Sequence, residues 1–247
     1  MRIHIMACRV LTRELSRLIC GCQNAVDITW LPQGLHDTPT VLHNSIVEEL
    51  DRLEHLMERR LIRRKPDYIV MGYGLCSKAT VGLEAKSIPL VIPRTEDCIA
   101  LFLGSQERYL QYFKEYPGTY WMNSQWIQDI PHADPDYMER LRETYMEEYE
   151  DEETVEYLLE MEKSSLAVYS RVGYIRTDTF DDCRQRKMAE DMARRFELQY
   201  KEFNGENRML KKIVMGEFND KDFLIVPPGY RTEYSNGPER IRAVACE

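Results

Sequence analysis

The chain has 247 residues, 43% of them hydrophobic and 30% charged, and a formal net charge of -9. That composition supplies a substantial core, argues against disorder, and lacks the basic surface expected of a general nucleic-acid binder. Its apolar runs, such as Leu224-Ile225-Val226, are cut by charges or prolines far short of the ~20 residues a membrane-spanning helix needs.

Short β-branched runs alternate with longer stretches of helical period, the pattern of a parallel sheet covered by helices. Arg2 to Cys8 reads as a first strand, and Leu11 to Cys22 as a helix carrying Leu11, Leu15, Leu18 and Ile19. Val26 to Leu31 is a second strand, followed by a loop through Gly34, His36 and Pro39. A long helix from about Asn44 to Arg64 then sets Ile46, Leu50, Leu53, Met57 and Leu61 on one stripe. Asp67 to Tyr73 and Ile88 to Pro93 are the third and fourth strands, the latter with Leu90-Val91-Ile92 suited to burial on both faces.

Ser105 to Tyr116 is helical and stops at Pro117-Gly118, and Thr119 to Met122 is a short strand. Tyr137 to Lys163 keeps a helical period but is strongly acidic around Glu147 to Glu153, the signature of a solvated face or a helix break. The β-α-β-α-β rhythm then returns: strand Tyr174 to Thr177, helix Arg184 to Glu197, strand Leu198 to Phe203, helix Glu206 to Met215, strand Phe223 to Val226. The expected fold class is α/β, with two Rossmann-like βαβαβ lobes, mostly parallel sheets and a helical middle segment. Residues 1–125 form a cysteine-bearing lobe, 126–170 an acidic connector, and 171–247 a second lobe whose tail beyond Tyr230 is polar and loosely ordered. One compact domain containing both lobes is the alternative organisation.

The opening Met1-Arg2-Ile3-His4-Ile5 enters a strand directly, without the features of a secretory signal, so the cytoplasm is the expected compartment. Seven cysteines there are expected to be thiols. Open parallel sheets bind ligands where their strands end, and three cysteines take such places. Cys8 closes the first strand, Cys76 follows the third in Gly72-Tyr73-Gly74-Leu75-Cys76, and Cys98 follows the fourth in Pro93-Arg94-Thr95-Glu96-Asp97-Cys98. Thiolates are soft ligands for zinc or an iron-sulfur cluster, and His36 is the candidate fourth ligand. The competing reading makes them buried small residues at strand ends.

Cys20, Cys22, Cys183 and Cys246 are expected to pack, cap or stay incidental, and His43 and His55 to be packing or surface groups. Tyr73, Gly74, Arg94, Gly104 and Ser105 are the candidate substrate-binding residues: glycines for close approach, a two-pronged guanidinium, and a helix start. Arg94 has Glu96 and Asp97 as alternative partners, and Ser105 has a capping role open to it. No glycine-rich nucleotide fingerprint occurs. In the second half, Asp178, Asp181 and Asp182 after one strand and Pro227-Pro228-Gly229-Tyr230 after the last read first as caps and a rigid turn.

Met6-Ala7-Cys8, Gly72 to Cys76, Pro93 to Ile99 with Leu103-Gly104-Ser105, Tyr116 to Tyr120, and Phe223 to Gly229 together resemble the family catalogued as domain of unknown function 1638. The resemblance runs from Arg2 to Gly229 and implies an anaerobic setting tied to corrinoid-dependent methyl transfer or other one-carbon metabolism. It also favours a metal at the three cysteines, either Zn2+ or a [4Fe-4S] cluster. One departure is Thr95-Glu96, where the family pattern leads one to expect a smaller residue followed by histidine.

The expected function is therefore a metal-dependent protein, an enzyme in the first reading. Its partner is a small-molecule substrate or a corrinoid protein, with neither nucleic acid nor membrane. The alternatives are a non-catalytic metallochaperone or accessory partner, and a metal-free enzyme using one cysteine as nucleophile.

Overall fold

The computed structural model describes every residue except Ser77, Asp178, Asp181 and Glu247. In chain order the elements begin β1 (Arg2–Cys8), α1 (Thr12–Cys20), β2 (Ala25–Leu31), α2 (Pro39–Glu58), β3 (Tyr68–Gly72), β4 (Glu84–Ala85), β5 (Leu90–Pro93), α3 (Cys98–Leu103) and α4 (Gln106–Glu115). Next come β6 (Thr119–Met122), α5 (Tyr137–Tyr149), α6 (Glu152–Ser164), β7 (Arg171–Arg176), α7 (Cys183–Arg195), β8 (Gln199–Asn204) and α8 (Arg208–Met215). The chain closes with β9 (Phe223–Val226), β10 (Tyr230–Tyr234) and β11 (Ile241–Ala245). The fold is α/β, with parallel pairing dominant in the five-stranded sheet and in the sheet of β6, β7 and β8 described next.

Two compact units result, one of Met1–Tyr109 together with the chain from Glu206 onward, the other of Leu110–Gly205. The first is built on a five-stranded sheet in the order β2-β1-β3-β5-β9. β1 pairs parallel with β2 and β3, β3 parallel with β5, and β9 runs antiparallel to β5. Ile3, Ile5, Val70, Val91, Ile92 and Phe223 are all fully buried in it. Each such aliphatic side chain stabilises the fold by about 1.5–3 kcal/mol. The second unit carries the parallel sheet β6-β7-β8, over a core that includes Met122, Ile127, Val172, Tyr174 and Met192.

The division differs from the serial one expected above. Phe223–Val226 forms a strand, as its apolar run requires, but it pairs antiparallel with β5 in the first sheet instead of completing a second βαβαβ lobe. β6, expected in the first lobe, pairs with β7 instead. Strand existence follows from local pattern; the partner follows from which sheet edge has matching apolar faces, which is long-range information.

The tail also departs from expectation. β10 and β11 form an antiparallel hairpin, with Thr232 and Ile241 buried, and β10 pairs with β4. The Thr232 hydroxyl donates to the Thr80 carbonyl at 2.8 Å and accepts from the Leu83 amide at 2.8 Å, pinning the segment that follows Cys76. This tail is therefore ordered by pairing and not by apolar content, which explains why its polarity misleads.

α2 starts earlier than expected, with Pro39 in its first turn, and buries Leu42, Ile46, Leu50, Leu53 and Met57. It ends at Glu58, so Leu61 lies outside it and is 64% exposed. Arg60 takes a left-handed φ of 55°, closing the helix before the basic run Arg63-Arg64-Lys65. The acidic stretch is two helices: Glu150 turns left-handed at φ 52°, and the Asp151 carboxylate then accepts from the Thr154 amide at 2.9 Å to cap α6.

Candidate functional site

The three strand-end cysteines are placed by backbone register. Ala7 pairs with Gly72 across β1 and β3, so Cys8, the last residue of β1, has Tyr73, the first residue beyond β3, next in register. The two chains can approach this closely because residue 72 is glycine: a Cβ there would lie 2.5 Å from the Ala7 Cβ. Beyond β3 the chain stays beside the extension of β5. The Leu75 amide donates to the Thr95 carbonyl and the Cys76 amide to the Glu96 carbonyl, each at 2.8 Å. Cys76 is thereby held next to the segment that ends in Cys98. Gly74 makes the approach possible, since a Cβ there would fall 2.5 Å from the Thr95 carbonyl oxygen and 2.9 Å from the Asp97 amide.

Cys76 adopts a left-handed backbone, φ 43°, which L residues other than Asn, Asp and His seldom do. Such strain is held only where the surroundings impose it, and it clusters at functional sites. Here the imposing contacts are the Cys76 amide bond to Glu96, a bond from the Ala79 amide to the Cys76 carbonyl at 3.2 Å, and the Thr80 hydroxyl donating to the Gly74 carbonyl at 3.2 Å. His43, on α2, meets the Ala79 carbonyl through Nδ1 at 2.9 Å and steadies the same loop.

Cys8 and Cys76 are buried and Cys98 is half-buried. Burial, then the Asp97 charge, then the Cys8 thiol raise the Cys76 thiol far above its ordinary value. Burial, Asp97, Cys76 and Cys8, in that order, do the same to Cys98. Cys8 therefore acts on both of the other thiols, and Cys76 on Cys98. Tyr73 is in the same group: burial, followed by Cys8, Cys76 and Cys98, strongly raises its phenol. Its hydroxyl is buried without a well-formed hydrogen bond, and the Cys8 thiol is the side chain that reaches it.

Asp97 is the residue that sequence reasoning passed over. Its Oδ1 accepts from the amides of Ile99 at 2.9 Å and Ala100 at 3.4 Å, capping α3 and fixing Cys98 as the first helical residue. Its Oδ2 accepts from the Tyr109 hydroxyl at 3.2 Å. Burial raises the Asp97 carboxyl, while the two amides, Tyr109 and the charge of His36 pull it down. An Asp one residue ahead of an apolar helical run was the available signal.

The other expected residues are placed differently. His36 sits exposed on the turn Leu35–Asp37, its Nε2 3.4 Å from Asp37, and its influence falls on Asp97. Arg94 pairs with neither Glu96 nor Asp97. Its Nε donates to the carbonyls of Asp220 at 2.9 Å and Phe223 at 3.3 Å, and its Nη1 to those of Glu239 at 2.8 Å and Ile241. That guanidinium stitches β9 and the hairpin to β5 and is spent on main chain, not on a substrate anion. Glu96, at the position where histidine was expected, forms an ion pair with Arg240.

Gly104 ends α3 with φ 85°, packed so that a Cβ would meet Glu206 at 2.7 Å, and the Ser105 hydroxyl accepts from the Arg108 amide at 3.1 Å as a cap. Of the five candidate substrate-binding residues, the structure thus leaves Tyr73 and Gly74 at the cysteines. Asp182 pairs with Arg186 at 3.0 Å, while Asp178 and Asp181 lie outside the described residues. Cys20 and Cys183 are exposed, Cys22 and Cys246 half-buried, and all seven cysteines are free thiols.

Thiol chemistry suits a soft metal, yet among the described residues no three His, Cys, Asp or Glu side chains already stand in an arrangement able to hold an ion. Among them, too, no helix is long and apolar enough to cross a membrane.

These features define an α/β protein with three cysteines at the strand ends of one sheet. A family model described as "Protein of unknown function (DUF1638)" matches residues 30–214, and the chain belongs to that family. The matched span contains Cys76 and Cys98; Cys8 and the Pro227-Pro228-Gly229 turn lie outside it. No curated protein and no solved structure matches the chain.

Proposed function

We propose that this protein is a metal-dependent enzyme whose metal is held by Cys8, Cys76 and Cys98 as thiolates. The observation that carries this reading is that three thiols from separate strand ends share one neighbourhood, Cys8 and Cys76 raising the cost of ionising Cys98 and Cys8 that of ionising Cys76. Burial and like charge both oppose thiolate formation, and a bound soft cation offsets both at once. On this reading metal uptake draws the sulfurs inward, coupling binding to a local change of fold.

Zinc is the first choice and a [4Fe-4S] cluster the alternative. With three protein ligands, zinc keeps a position for substrate and supplies Lewis-acid activation of a bound thiol or water. The chain's own part is to hold the sulfurs through the strained Cys76 loop and the Asp97 cap, and to shield them from solvent. The family resemblance adds the setting: corrinoid-linked methyl or one-carbon metabolism in the cytoplasm, with a small-molecule substrate or a corrinoid protein as partner.

The test is elemental analysis and absorption spectroscopy of protein purified without oxygen, alongside Cys8→Ser, Cys76→Ser and Cys98→Ser. A colourless protein with ~1 zinc per chain, or a brown one with iron and sulfide, supports the proposal if each serine variant loses metal. Metal content unchanged across the series rejects it.

The second reading is a metallochaperone or accessory partner built on the same thiols. The acidic run from Glu147 to Glu153 at the α5–α6 junction favours it as a docking surface. A complex with a corrinoid protein that survives moderate salt, without turnover by the isolated chain, selects this reading.

A further inference from the structure

The run Arg59-Arg60-Leu61-Ile62-Arg63-Arg64-Lys65 lies between α2 and β3 and carries five cations in seven residues. All five side chains are exposed, and none makes an ion pair or hydrogen bond among the described residues. Elsewhere in the same unit guanidinium groups are spent on carboxylates: Arg52 on Glu49 at 2.6 Å and Arg208 on Asp222 at 3.0 Å. Main-chain bonds hold the turn in place. The Leu61 and Ile62 amides both donate to the Leu56 carbonyl, at 2.9 and 3.4 Å, and Pro66 is buried just ahead of β3. Ile62 is half-buried, whereas Leu61, set among the cations, is 64% exposed. β1 and β3 run parallel, so the turn lies where they begin, at the end of the sheet away from Cys8 and Cys76.

We propose that this turn docks the chain peripherally on an anionic lipid surface, with Leu61 entering the boundary between headgroups and acyl chains and the five cations meeting lipid phosphates. Binding of this kind draws on apolar burial and on attraction to anionic headgroups together, and the turn offers both. The arginine fork suits phosphate oxygens. Nucleic acid also presents phosphates, but single strands are gripped by stacking bases on aromatic rings, which the turn lacks, and a duplex backbone has no use for an exposed leucine. The formal net charge of -9 conceals this patch, because a sum over the chain says nothing of where charge lies. Acidic groups more than ~10 Å from the bilayer are largely screened at about 0.1 M salt, so the cations at the point of contact decide the sign. Each is worth about 5-fold in affinity beside an anionic leaflet, and burial of Leu61 about 10-fold.

The test is co-sedimentation of the full chain with vesicles of equal parts phosphatidylglycerol and phosphatidylcholine, against phosphatidylcholine alone, for wild type, Arg63→Gln/Arg64→Gln and Leu61→Gln. Binding to the anionic vesicles only, weakened about 25-fold by the double substitution and about 10-fold by Leu61→Gln, is the expected result. No binding to anionic vesicles, equal binding to both lipids, or binding that either variant leaves unchanged overturns the proposal. The same proteins are titrated with single-stranded and duplex RNA, and sedimented without lipid. RNA binding, or self-association, that the double substitution abolishes while vesicle binding is absent assigns the turn to nucleic acid or to a second copy and likewise overturns it.

Urea unfolding separates docking from structure. Both variants are expected to unfold at the wild-type midpoint, because the replaced side chains are exposed and away from packed contacts. A clearly lower midpoint shows that the turn supports the fold and rejects it as a free docking surface. Either result leaves the cysteine reading untouched.

Discussion

The amide of Cys76 donates to the carbonyl of Glu96 at 2.8 Å, and through that bond a cysteine beyond one strand is fastened two residues from the cysteine beyond the next. The bond is made with Cys76 in a left-handed conformation, φ 43°. Backbone strain and thiol chemistry at this position are thus separable by mutation.

Cys76→Gly is expected to be more stable than Cys76→Ala by about 1 kcal/mol, the cost of a left-handed L residue that glycine does not bear. Both lose the thiol. Urea unfolding of the two variants checks the difference, and equal stabilities count against strain at this residue.

Gly74→Ala is expected to cost about 1–3 kcal/mol as an overpacked contact, because the new methyl has nowhere to go between the Thr95 carbonyl and the Asp97 amide. It should also separate the Cys76 loop from the Cys98 segment. Equilibrium unfolding measures the first effect, and faster hydrogen exchange of the Leu75 and Cys76 amides in the same variant reads the second.

Arg94→Lys is expected to destabilise by about 1.5–3 kcal/mol, since a lysine has no fork with which to serve the main-chain carbonyls of Asp220, Phe223, Glu239 and Ile241. Hydrogen exchange should locate the damage in residues 230–245. Unchanged protection of that hairpin would show that the guanidinium does not hold it.

Acid should weaken the first unit through His4 and then Glu49. The His4 Nε2 lies 3.0 Å from the Thr29 hydroxyl, which donates to Glu49 at 2.7 Å. Burial lowers the His4 pKa, outweighing the raising effect of Glu49 and Asp27. The unfolded chain therefore takes up a proton below about pH 6.5 that folded His4 refuses, and stability falls as pH drops through that window. Burial pulls Glu49 upward, but hydrogen bonds from Arg52 and Thr29 leave it lowered, so its contribution is lost at still lower pH. His4→Gln should flatten the stability profile between pH 7 and 5.5, measured by urea unfolding; an unchanged slope excludes His4 as the cause.

Much of this was legible in advance where the information is local. Thr119–Met122 and Phe223–Val226 have the bounds their apolar runs suggest, and Arg2–Cys8 ends on its cysteine as read. Cys8, Cys76 and Cys98 were singled out because strand ends in parallel sheets share an edge, which is a rule of topology. What escaped was partner choice. Nothing near Phe223 in sequence says that it will run antiparallel to Pro93, and nothing near Arg94 says that its guanidinium will be taken by carbonyls more than 120 residues away. Asp97 was missed because its capping role depends on where α3 begins, and Tyr73 was chosen for its neighbours without any sign that its phenol would be buried against the Cys8 thiol.

The first unit is assembled from the two ends of the chain, with Leu110–Gly205 inserted between them. During synthesis on a ribosome, β1 and β3 precede Leu110–Gly205, yet the edge strand β9 and the hairpin that braces the Cys76 loop are made only after it. Until those strands follow the whole of the inserted unit, Cys8, Cys76 and Cys98 stand on an incomplete scaffold.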